Sequence, residues 1–520
     1  MTDSPDLGGR PPAAVHDAPE TAENRTGRQQ RSLGSLASRG ALWAVLANIT
    51  MRFASIAITA VLARILSPAD FGVFAVALAV YLVVASLAEL GMGSAIARSA
   101  TEPEDIAPTV TTISIVTSGA IAAAMAVFAP ALAGVLGQPD AAEPIRILSL
   151  CLMLTGLFAV PGAQLVREFR QDRIFLATVV GFVVANPILI ALALQGDGAT
   201  AFAWSRVIGQ AATGVVFVLS TRRRYLPGWR AESVGPLVRF GLPLSIANLV
   251  NWSLLNADYL ILGRLVDAAQ VGVYMIAFNV ASWSTALLGS VLNSVVVPVF
   301  GRVGHDRGEL GRALLSASQL VALIAMPIGA LTLALSPSLI ATVFGAKWSE
   351  SAPVLAVLSV YGVLYAFSLL YANVLVATGK TLRLLLIQVG WVATLVPAIV
   401  VGLRAQGLVG VAWAHVLTMS LVAVPAYGLV VLRSTGQRVG PLLRVLARPL
   451  LAAVLAGAAA WLVAQLLDTA LASFLVGGLT GGGAYLLLAG PLLARRLPAR
   501  LVPRWLPRRW RPATTAGGPA

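Results

Sequence analysis

The feature that most constrains this chain is a series of apolar runs, each about twenty residues long and bounded by Arg, Pro or Gly. A helix needs ~20 apolar residues to cross ~30 Å of hydrocarbon, so each run has the length of a transmembrane helix. Transmembrane β-strands would appear instead as segments of about ten residues with alternating polarity, and no such alternation is present. Because about fourteen runs follow one another, the sequence predicts an all-α integral membrane protein with about fourteen transmembrane helices.

The composition and the placement of charge support a membrane location. Of 520 residues, 58% are hydrophobic and 11% are charged, and the mean hydropathy is +0.84. A soluble protein could not bury that much apolar surface. The formal net charge is +15, but 30 of the 37 Lys and Arg residues lie in the two tails and in alternate loops. Because basic residues collect on the cytoplasmic side, this asymmetry predicts that both termini are cytoplasmic and argues against a nucleic-acid partner.

An internal repeat with a spacing of 200 residues organises the spans. An ungapped alignment of residues 39–80 with residues 239–280 gives 12 identities in 42 positions. Four of these identities are the most informative, namely Arg39 with Arg239, Asn48 with Asn248, Arg64 with Arg264, and Gly72 with Gly272. The copies are six spans apart, so they share one orientation and are expected to be related by a pseudo-two-fold axis along the membrane normal. The sequence thus predicts two six-helix lobes followed by two C-terminal helices.

The spans and the repeat divide the chain into six predicted segments. They are a disordered cytoplasmic tail (1–38), an N-lobe (39–221), a cytoplasmic linker (222–235), a C-lobe (236–433), two further spans (434–494) and a basic cytoplasmic tail (495–520). In the last segment Arg residues alternate with Trp505 and Trp510, which favours docking on anionic membrane lipids. The alternative is a disordered end that only fixes the topology.

Sequence signatures of enzymes and of metal or cofactor sites are absent. The closest approach to a phosphate-binding loop is Gly379-Lys380-Thr381, but Val374 occupies the position of its first glycine. The single cysteine, Cys151, excludes an intramolecular disulfide, and the three histidines are scattered. We therefore expect no metal and no cofactor. A membrane glycosyltransferase or ligase is a disfavoured alternative from another functional class, because the predicted outer loops are short and contain few acidic residues.

Polar side chains inside a predicted span are costly and therefore mark candidate sites. The first span carries a polar stripe on one helical face, formed by Asn48, Arg52, Ser55 and Thr59. We predict that Arg52, with Asn48 and Ser55, lines a central cavity and binds an anionic group such as a pyrophosphate, which suits guanidinium geometry. The alternative is a structural arginine paired with a carboxylate of a neighbouring helix.

Two other spans carry candidates for the same cavity. The span equivalent to the first, in the second lobe, has a broad polar face that includes Asn248 and Asn251. Arg206, in the sixth span, is a second candidate for binding the anion. Structural pairing with a carboxylate is again the alternative for this arginine.

Two acidic residues are candidates for coupling transport to an ion. Asp258 lies near the outer end of the seventh span, where pairing with Arg264 is the favoured structural interpretation. Glu89 lies toward the cytoplasmic end of the second span and becomes a candidate proton carrier if it is buried. For Glu89, pairing with Arg98 or another cytoplasmic arginine is the favoured alternative.

Several short segments together resemble one family of membrane transporters. They are Arg64-Ile-Leu-Ser-Pro-Ala-Asp-Phe-Gly72 with Phe74, Asp258-Tyr-Leu-Ile-Leu-Gly-Arg264, Gly272-Val-Tyr274, Val297-Pro298-Val-Phe300, Gly345-Ala-Lys347-Trp348 and Ala377-Thr-Gly379-Lys380. Over about residues 39–400 the chain is similar to the polysaccharide transporter (Wzx-type) family of lipid-linked oligosaccharide flippases, and within it to the colanic acid and teichuronic acid exporters. The same superfamily (MATE/MOP) holds the multidrug and toxin extruders and the lipid II flippases.

The resemblance implies a fourteen-helix, two-lobed fold in a bacterial cytoplasmic membrane, and movement of an undecaprenyl-pyrophosphate-linked oligosaccharide across it. We therefore expect a flippase that works by alternating access and is not an enzyme. A polysaccharide polymerase and a chain-length regulator are the expected protein partners. The alternative within the superfamily is a cation-coupled multidrug or metabolite antiporter, for which we expect a smaller cavity with an essential carboxylate.

Overall fold

A computed structural model gives the structure of the chain and describes residues 51–52, 54–88, 103–283 and 307–494. The chain divides into two compact units, residues 1–54 and residues 55–520. Only residues 51, 52 and 54 of the first unit are described, so the fold below is that of the second unit. Two predicted site residues, Asn48 and Glu89, lie outside the described residues.

Six helices form the N-terminal half of the described chain. They are α1 (Ala54–Ile65), α2 (Pro68–Ala88), α3 (Pro103–Val135), α4 (Ala142–Arg167), α5 (Gln171–Gln195) and α6 (Gly198–Ser220). The start of α2 is a reciprocal cap: the Ser67 amide donates to Asp70 Oδ2 at 2.9 Å, and the Asp70 amide donates to Ser67 Oγ at 3.2 Å. Such a cap, followed by a proline in the first turn, stops α1 and starts α2 within two residues.

The C-terminal half contains the remaining helices. They are α7 (Ala231–Leu255 and Ala257–Leu265), α8 (Ala268–Ala281), α9 (Arg307–Val343), α10 (Ser351–Ala377), α13 (Val439–Gln465) and α14 (Ala470–Ala494). Between α10 and α13, the helical run Thr381–Thr418 breaks at Gln406 and Gly407, and Gly407 has a φ of 60° that suits glycine. We name the part before the break α11. The part after it, α12, continues through the π-helical turn Met419–Ala423 to Thr435.

The number of spans agrees with the sequence prediction. Among the described residues, eleven helical runs are long and apolar enough to cross a membrane, and one of them, Thr381–Thr435, is α11 and α12 together. The shorter apolar helices α1 and α8 complete a set of fourteen. The protein is therefore a multi-pass membrane protein with the predicted fourteen-helix fold.

Helix packing forms the two predicted lobes. In the N-lobe α3 packs on α4, α4 on α6, and α5 on α6, while α2 lies against α4. In the C-lobe α10 packs on α8, on α9 and on the helical run Thr381–Thr418, which comprises α11 and the first part of α12. The lobes meet where α2 packs against α8 and against α7. Helices α13 and α14 pack on each other and on α9, where the Tyr485 hydroxyl donates to the Leu323 carbonyl at 2.9 Å.

The linker before α7 is attached to the N-lobe rather than lying free. The Gly228 amide donates to the Pro108 carbonyl at 3.1 Å, and Arg230 lies 2.6 Å from Asp105 in an ion pair. Both partners belong to the first turns of α3. Helix α7 begins at Ala231, immediately after these contacts, so its start is held beside the N-lobe.

Candidate functional site

The two lobes are joined on the side that the charge distribution predicts to be the outer side. The turn between α9 and α10 reaches the end of α1 in the other lobe. There the Trp348 indole donates to the Ala63 carbonyl at 2.8 Å, and the Lys347 ammonium donates to the Leu66 carbonyl at 2.6 Å. Burial lowers the pKa of Lys347 from the ordinary lysine value, and the nearby Asp70 opposes that shift.

The reciprocal contact comes from the turn between α3 and α4. The side-chain amide of Gln138 donates to the Gly263 carbonyl at 3.1 Å and to the Val266 carbonyl at 2.9 Å, at the end of α7. Gly263 and Val266 are the repeat equivalents of Ala63 and Leu66. Each lobe therefore satisfies the terminal carbonyl groups of a helix in the other lobe, and these bonds close the predicted outer side.

The intramembrane arginine of α6 has no carboxylate partner among the described residues. The Arg206 guanidinium carbon lies 5.1 Å from the centroid of the Tyr81 ring on α2, and the arginine side chain is exposed. One turn further along α6, Gln210 donates to Thr155 Oγ1 at 2.7 Å and to the Cys151 carbonyl at 2.9 Å. The geometry leaves the guanidinium available to an anion, and that role stays a prediction.

The other predicted cavity residues remain predictions as well. Arg52 is helical and half-buried in the first unit. Ser55 on α1 is exposed, and its carbonyl accepts a 2.8 Å hydrogen bond from Thr59. On the first segment of α7, which packs against α2, Asn248 is half-buried and Asn251 is exposed. These residues are polar and only partly covered, as a cavity lining requires.

Asp258 has a different environment from the one favoured by the sequence. Its carboxylate accepts hydrogen bonds of 2.9 Å from the Tyr274 hydroxyl and 2.9 Å from the Tyr259 amide, and the residue is only 4% exposed. Arg264 is exposed at the end of the same helix. The predicted Asp258–Arg264 pair is therefore wrong, because the two residues lie on one helical segment, Ala257–Leu265, at positions roughly 240° apart around its axis.

A chamber of about 220 Å³ adjoins this aspartate in the C-lobe. His415 of α12 faces the chamber, and its ring centroid lies 5.1 Å from that of Tyr361 on α10. The Trp391 indole N–H is buried there without a hydrogen-bond partner among the described residues. The buried carboxylate and the imidazole beside this chamber can bind and release a proton.

A larger cavity of about 1,160 Å³ lies between α9, α10, α12 and α13, and we call it the apolar groove. Its walls are mainly aliphatic, and several of them are exposed, including Leu333 and Leu450. At one end it reaches the turn between α12 and α13, where Arg433 and Arg438 line it and are exposed. This groove was not predicted from the sequence, because its walls come from four helices separated along the chain.

Metal binding by a cluster of side chains finds no support in the described part of the chain. No group of three or more His, Cys, Asp or Glu residues there is arranged to hold a metal ion. Asp258 and His415 alone do not make such a group.

Comparison with known proteins identifies the family. Residues 61–353 match the family described as "Polysaccharide biosynthesis protein", which is more than half of the chain. The chain belongs to this family. The predicted resemblance to the Wzx-type transporters is thereby confirmed.

Two proteins with known names are similar to this chain in sequence. The chain is 24% identical over 396 residues to the lipopolysaccharide biosynthesis protein WzxC of Escherichia coli (strain K12). The match covers 75% of this chain and 79% of WzxC. The chain is 28% identical over 330 residues to the succinoglycan biosynthesis transport protein ExoT of Rhizobium meliloti (strain 1021), covering 62% of this chain and 65% of ExoT.

A solved structure supports the fold. The lipid II flippase MurJ in an inward closed conformation superposes with a TM-score of 0.68, covering 86% of this chain and 98% of that chain. The sequence identity is 14%, so this likeness concerns the fold alone. This chain and MurJ share one fold.

Proposed function

We propose that this protein moves an oligosaccharide, joined to a polyprenyl lipid by pyrophosphate, from the cytoplasmic to the outer leaflet of a bacterial cytoplasmic membrane. The observation that carries the proposal is the apolar groove with Arg433 and Arg438 at one end. Relatives support it, since WzxC is named as a biosynthesis protein of lipopolysaccharide and ExoT as a transport protein of succinoglycan biosynthesis.

The chemistry of the groove suits the lipid part of such a substrate. Burial of each methylene group of a lipid chain contributes roughly 0.8 kcal/mol, so a long apolar channel holds a polyprenyl chain well. The two arginines at its end lie on the predicted cytoplasmic side and suit the phosphate groups when the substrate enters there, before the linkage reaches Arg206. A small hydrophilic solute needs neither feature.

The charged linkage requires a basic site within the membrane. Arg206, exposed above the Tyr81 ring, provides a guanidinium for the pyrophosphate, and Arg52 of the first unit is by itself a second proposed anion-binding residue. The polar side chains of Ser55, Asn248 and Asn251 complete the predicted lining. Transport of an intact substrate requires no bond to form or break, so no catalytic residue is proposed.

Alternating access then requires the outer contacts to open. Rocking of the lobes about the α2–α8 contact breaks the bonds from Trp348 and Gln138 and exposes the headgroup to the outer side. The proposed orientation has both termini in the cytoplasm, with the basic tail on anionic lipids. A polysaccharide polymerase and a chain-length regulator are the proposed partners that receive the exported units.

One observation favours a second candidate, a cation-coupled antiporter for drugs or metabolites. The 220 Å³ chamber beside Asp258 has the buried carboxylate and the small size expected for such a transporter. The same chamber also serves a flippase that is driven by a cation gradient. In either case Asp258 is the proposed coupling residue.

Deletion of the gene, followed by a leaflet-resolved assay of the lipid-linked sugar, tests the proposal. We expect the lipid-linked oligosaccharide to accumulate on the cytoplasmic face, and a plasmid copy to restore its appearance outside. Unchanged appearance on the outer face, in a strain without a second flippase of this family, would refute the flippase. Increased drug sensitivity with normal flipping would favour the antiporter.

A further inference from the structure

The N-lobe contains a second chamber of about 560 Å³ that the mechanism above leaves unused. Its walls come from α2, α3, α4 and α6, in the half of the lobe that faces the predicted cytoplasmic side. The volume falls within the ~300–1,000 Å³ of typical small-molecule sites. We call it the N-lobe chamber.

The lining of the N-lobe chamber combines neutral hydrogen-bonding groups with aromatic rings. Its hydrogen-bonding groups include those of Tyr81, Thr155, Gln210 and Thr213. Two of its rings are those of Phe158 and Phe217. None of its described lining residues is charged. Hydroxyl and amide groups beside aromatic faces suit a sugar, which presents hydroxyl groups at its edge and C–H groups on its faces.

One hydroxyl group in the chamber wall is left without a partner. Ser114 is 1% exposed, and its Oγ has no hydrogen-bond partner among the described residues. Its neighbour one turn away, Ser118, donates to the Ala88 carbonyl at 3.0 Å. Because a buried unpaired hydroxyl is costly, Ser114 is a donor that a bound ligand would satisfy.

Two glycines shape the chamber by letting bulky groups approach. A Cβ on Gly214 of α6 would overlap the Phe158 ring, and a Cβ on Gly156 of α4 would overlap Ser118 and the Ser114 carbonyl. The Phe158 ring therefore packs directly against the backbone of α6, and α3 lies close to α4. The chamber is thus a product of specific close packing rather than of loose packing.

Arg206 lies at the edge of this chamber, because the Tyr81 ring beneath its guanidinium is part of the chamber wall. We propose that the N-lobe chamber binds the sugar nearest the pyrophosphate, while Arg206 holds the phosphate. This inference rests on the proposed function, since it takes a glycosylated lipid pyrophosphate as the substrate. It assigns recognition of the sugar to the N-lobe and recognition of the lipid to the apolar groove.

The test compares binding of two probes to the purified full-length protein in lipid nanodiscs. The probes are undecaprenyl pyrophosphate alone, and the same lipid carrying one hexose or one N-acetylhexosamine. We expect the wild-type protein to bind a glycosylated probe about tenfold more tightly than the bare lipid, which corresponds to about 1.4 kcal/mol. Equal affinity for all probes would overturn the chamber assignment, whereas binding of none would contradict the proposed function itself.

A filled chamber provides the decisive variant. Ala159→Phe places a ring in the chamber, and Leu157→Phe places the same ring on the exposed side of α4 as the matched control. We expect Ala159→Phe to remove the preference for the glycosylated probe and keep affinity for the bare lipid, while Leu157→Phe changes neither. Ser114→Ala removes only the unpaired hydroxyl and should reduce the preference severalfold in a protein that remains folded. Full preference in both chamber variants would overturn the proposal.

Discussion

Gly72 of α2 and Gly272 of α8 lie backbone to backbone where the two lobes meet. A Cβ on Gly72 would overlap the Ala268 carbonyl oxygen, and a Cβ on Gly272 would overlap the Pro68 carbonyl oxygen. The two contacts are equivalent under the 200-residue repeat, so the pseudo-two-fold axis runs between these glycines. Any side chain here must separate the lobes.

We predict that Gly72→Val destabilises the protein by roughly 1–3 kcal/mol, because the overlap is with backbone atoms that cannot rotate away. The measurement is the thermal unfolding midpoint of the purified protein. Gly134→Val is the matched control, since a Cβ on Gly134 meets no atom within 4 Å. Equal midpoints for the two variants would contradict the close contact of α2 and α8.

Trp348→Phe should favour opening on the predicted outer side. The substitution keeps a ring against Phe71 but removes the N–H that donates to the Ala63 carbonyl. Loss of a bond worth about 1 kcal/mol should increase the open population about fivefold. A cysteine at the buried position of Leu66, in a Cys151→Ser background, reports opening through its rate of labelling by an impermeant maleimide. Ser349→Ala, in the same turn, should leave the rate unchanged, and an unchanged rate in Trp348→Phe would contradict the role of the bond.

Asp258→Asn should abolish the dependence of transport on a cation gradient. The amide has nearly the same shape as the carboxylate but can neither exchange a proton nor supply a negative charge to a cation. The measurement is the transport rate in proteoliposomes with and without an imposed proton or sodium gradient. Asp140→Asn, an exposed acid between α3 and α4, is the control and should respond to the gradient normally. A normal response in Asp258→Asn would exclude Asp258 as the coupling residue.

Gly428→Phe should obstruct the apolar groove. Gly428 lines the groove, and a Cβ added there meets no atom within 4 Å, so the new ring enters open space rather than the packed core. We expect at least a tenfold loss of affinity for a long-chain polyprenyl pyrophosphate and little change for a short-chain analogue. Leu421→Phe, at a 71% exposed position of the same helix, is the control. Equal affinities for the long and short chains in wild-type protein would argue against the groove as the lipid site.

Arg206→Gln should weaken binding of the pyrophosphate by about tenfold or more, because a guanidinium donates two parallel hydrogen bonds to an anion. Arg206→Lys should retain only part of the affinity. Binding of undecaprenyl pyrophosphate at several salt concentrations measures the effect. Arg146→Gln, an exposed arginine on α4, serves as the control. Wild-type affinity in Arg206→Gln would show that this arginine does not bind the pyrophosphate and has a structural role instead.

The helices and the lobes were predictable because their signals are local or repetitive. The length of an apolar run and the placement of Arg residues need no knowledge of packing. The repeat marked Gly72 and Gly272 as equivalent positions. It did not indicate that the two residues touch, which depends on how the lobes dock.

The C-lobe chamber could not be predicted in this way. Asp258 and His415 are 157 positions apart in the sequence, and neither lies in a motif that points to the other. The proximity of Arg264 in sequence favoured the wrong partner for Asp258, since a helix turns by roughly 240° between these two positions and points the side chains in different directions. The distance between two helices along the chain does not show whether they pack together. The apolar groove and the N-lobe chamber, each lined by four helices, could not be predicted for the same reason.

Reconstitution of the purified protein tests the central claim most directly. The protein is placed in liposomes that contain labelled undecaprenyl-pyrophosphate-linked oligosaccharide. An impermeant glycosidase outside the liposomes cleaves only substrate that reaches the outer leaflet, and the cleaved share is measured over time. We predict that this share rises beyond the fixed value of protein-free liposomes, that Gly72→Val liposomes show a slower rise, and that a labelled phospholipid does not move faster. A share that stays at the protein-free value, with folded protein present, would contradict the account.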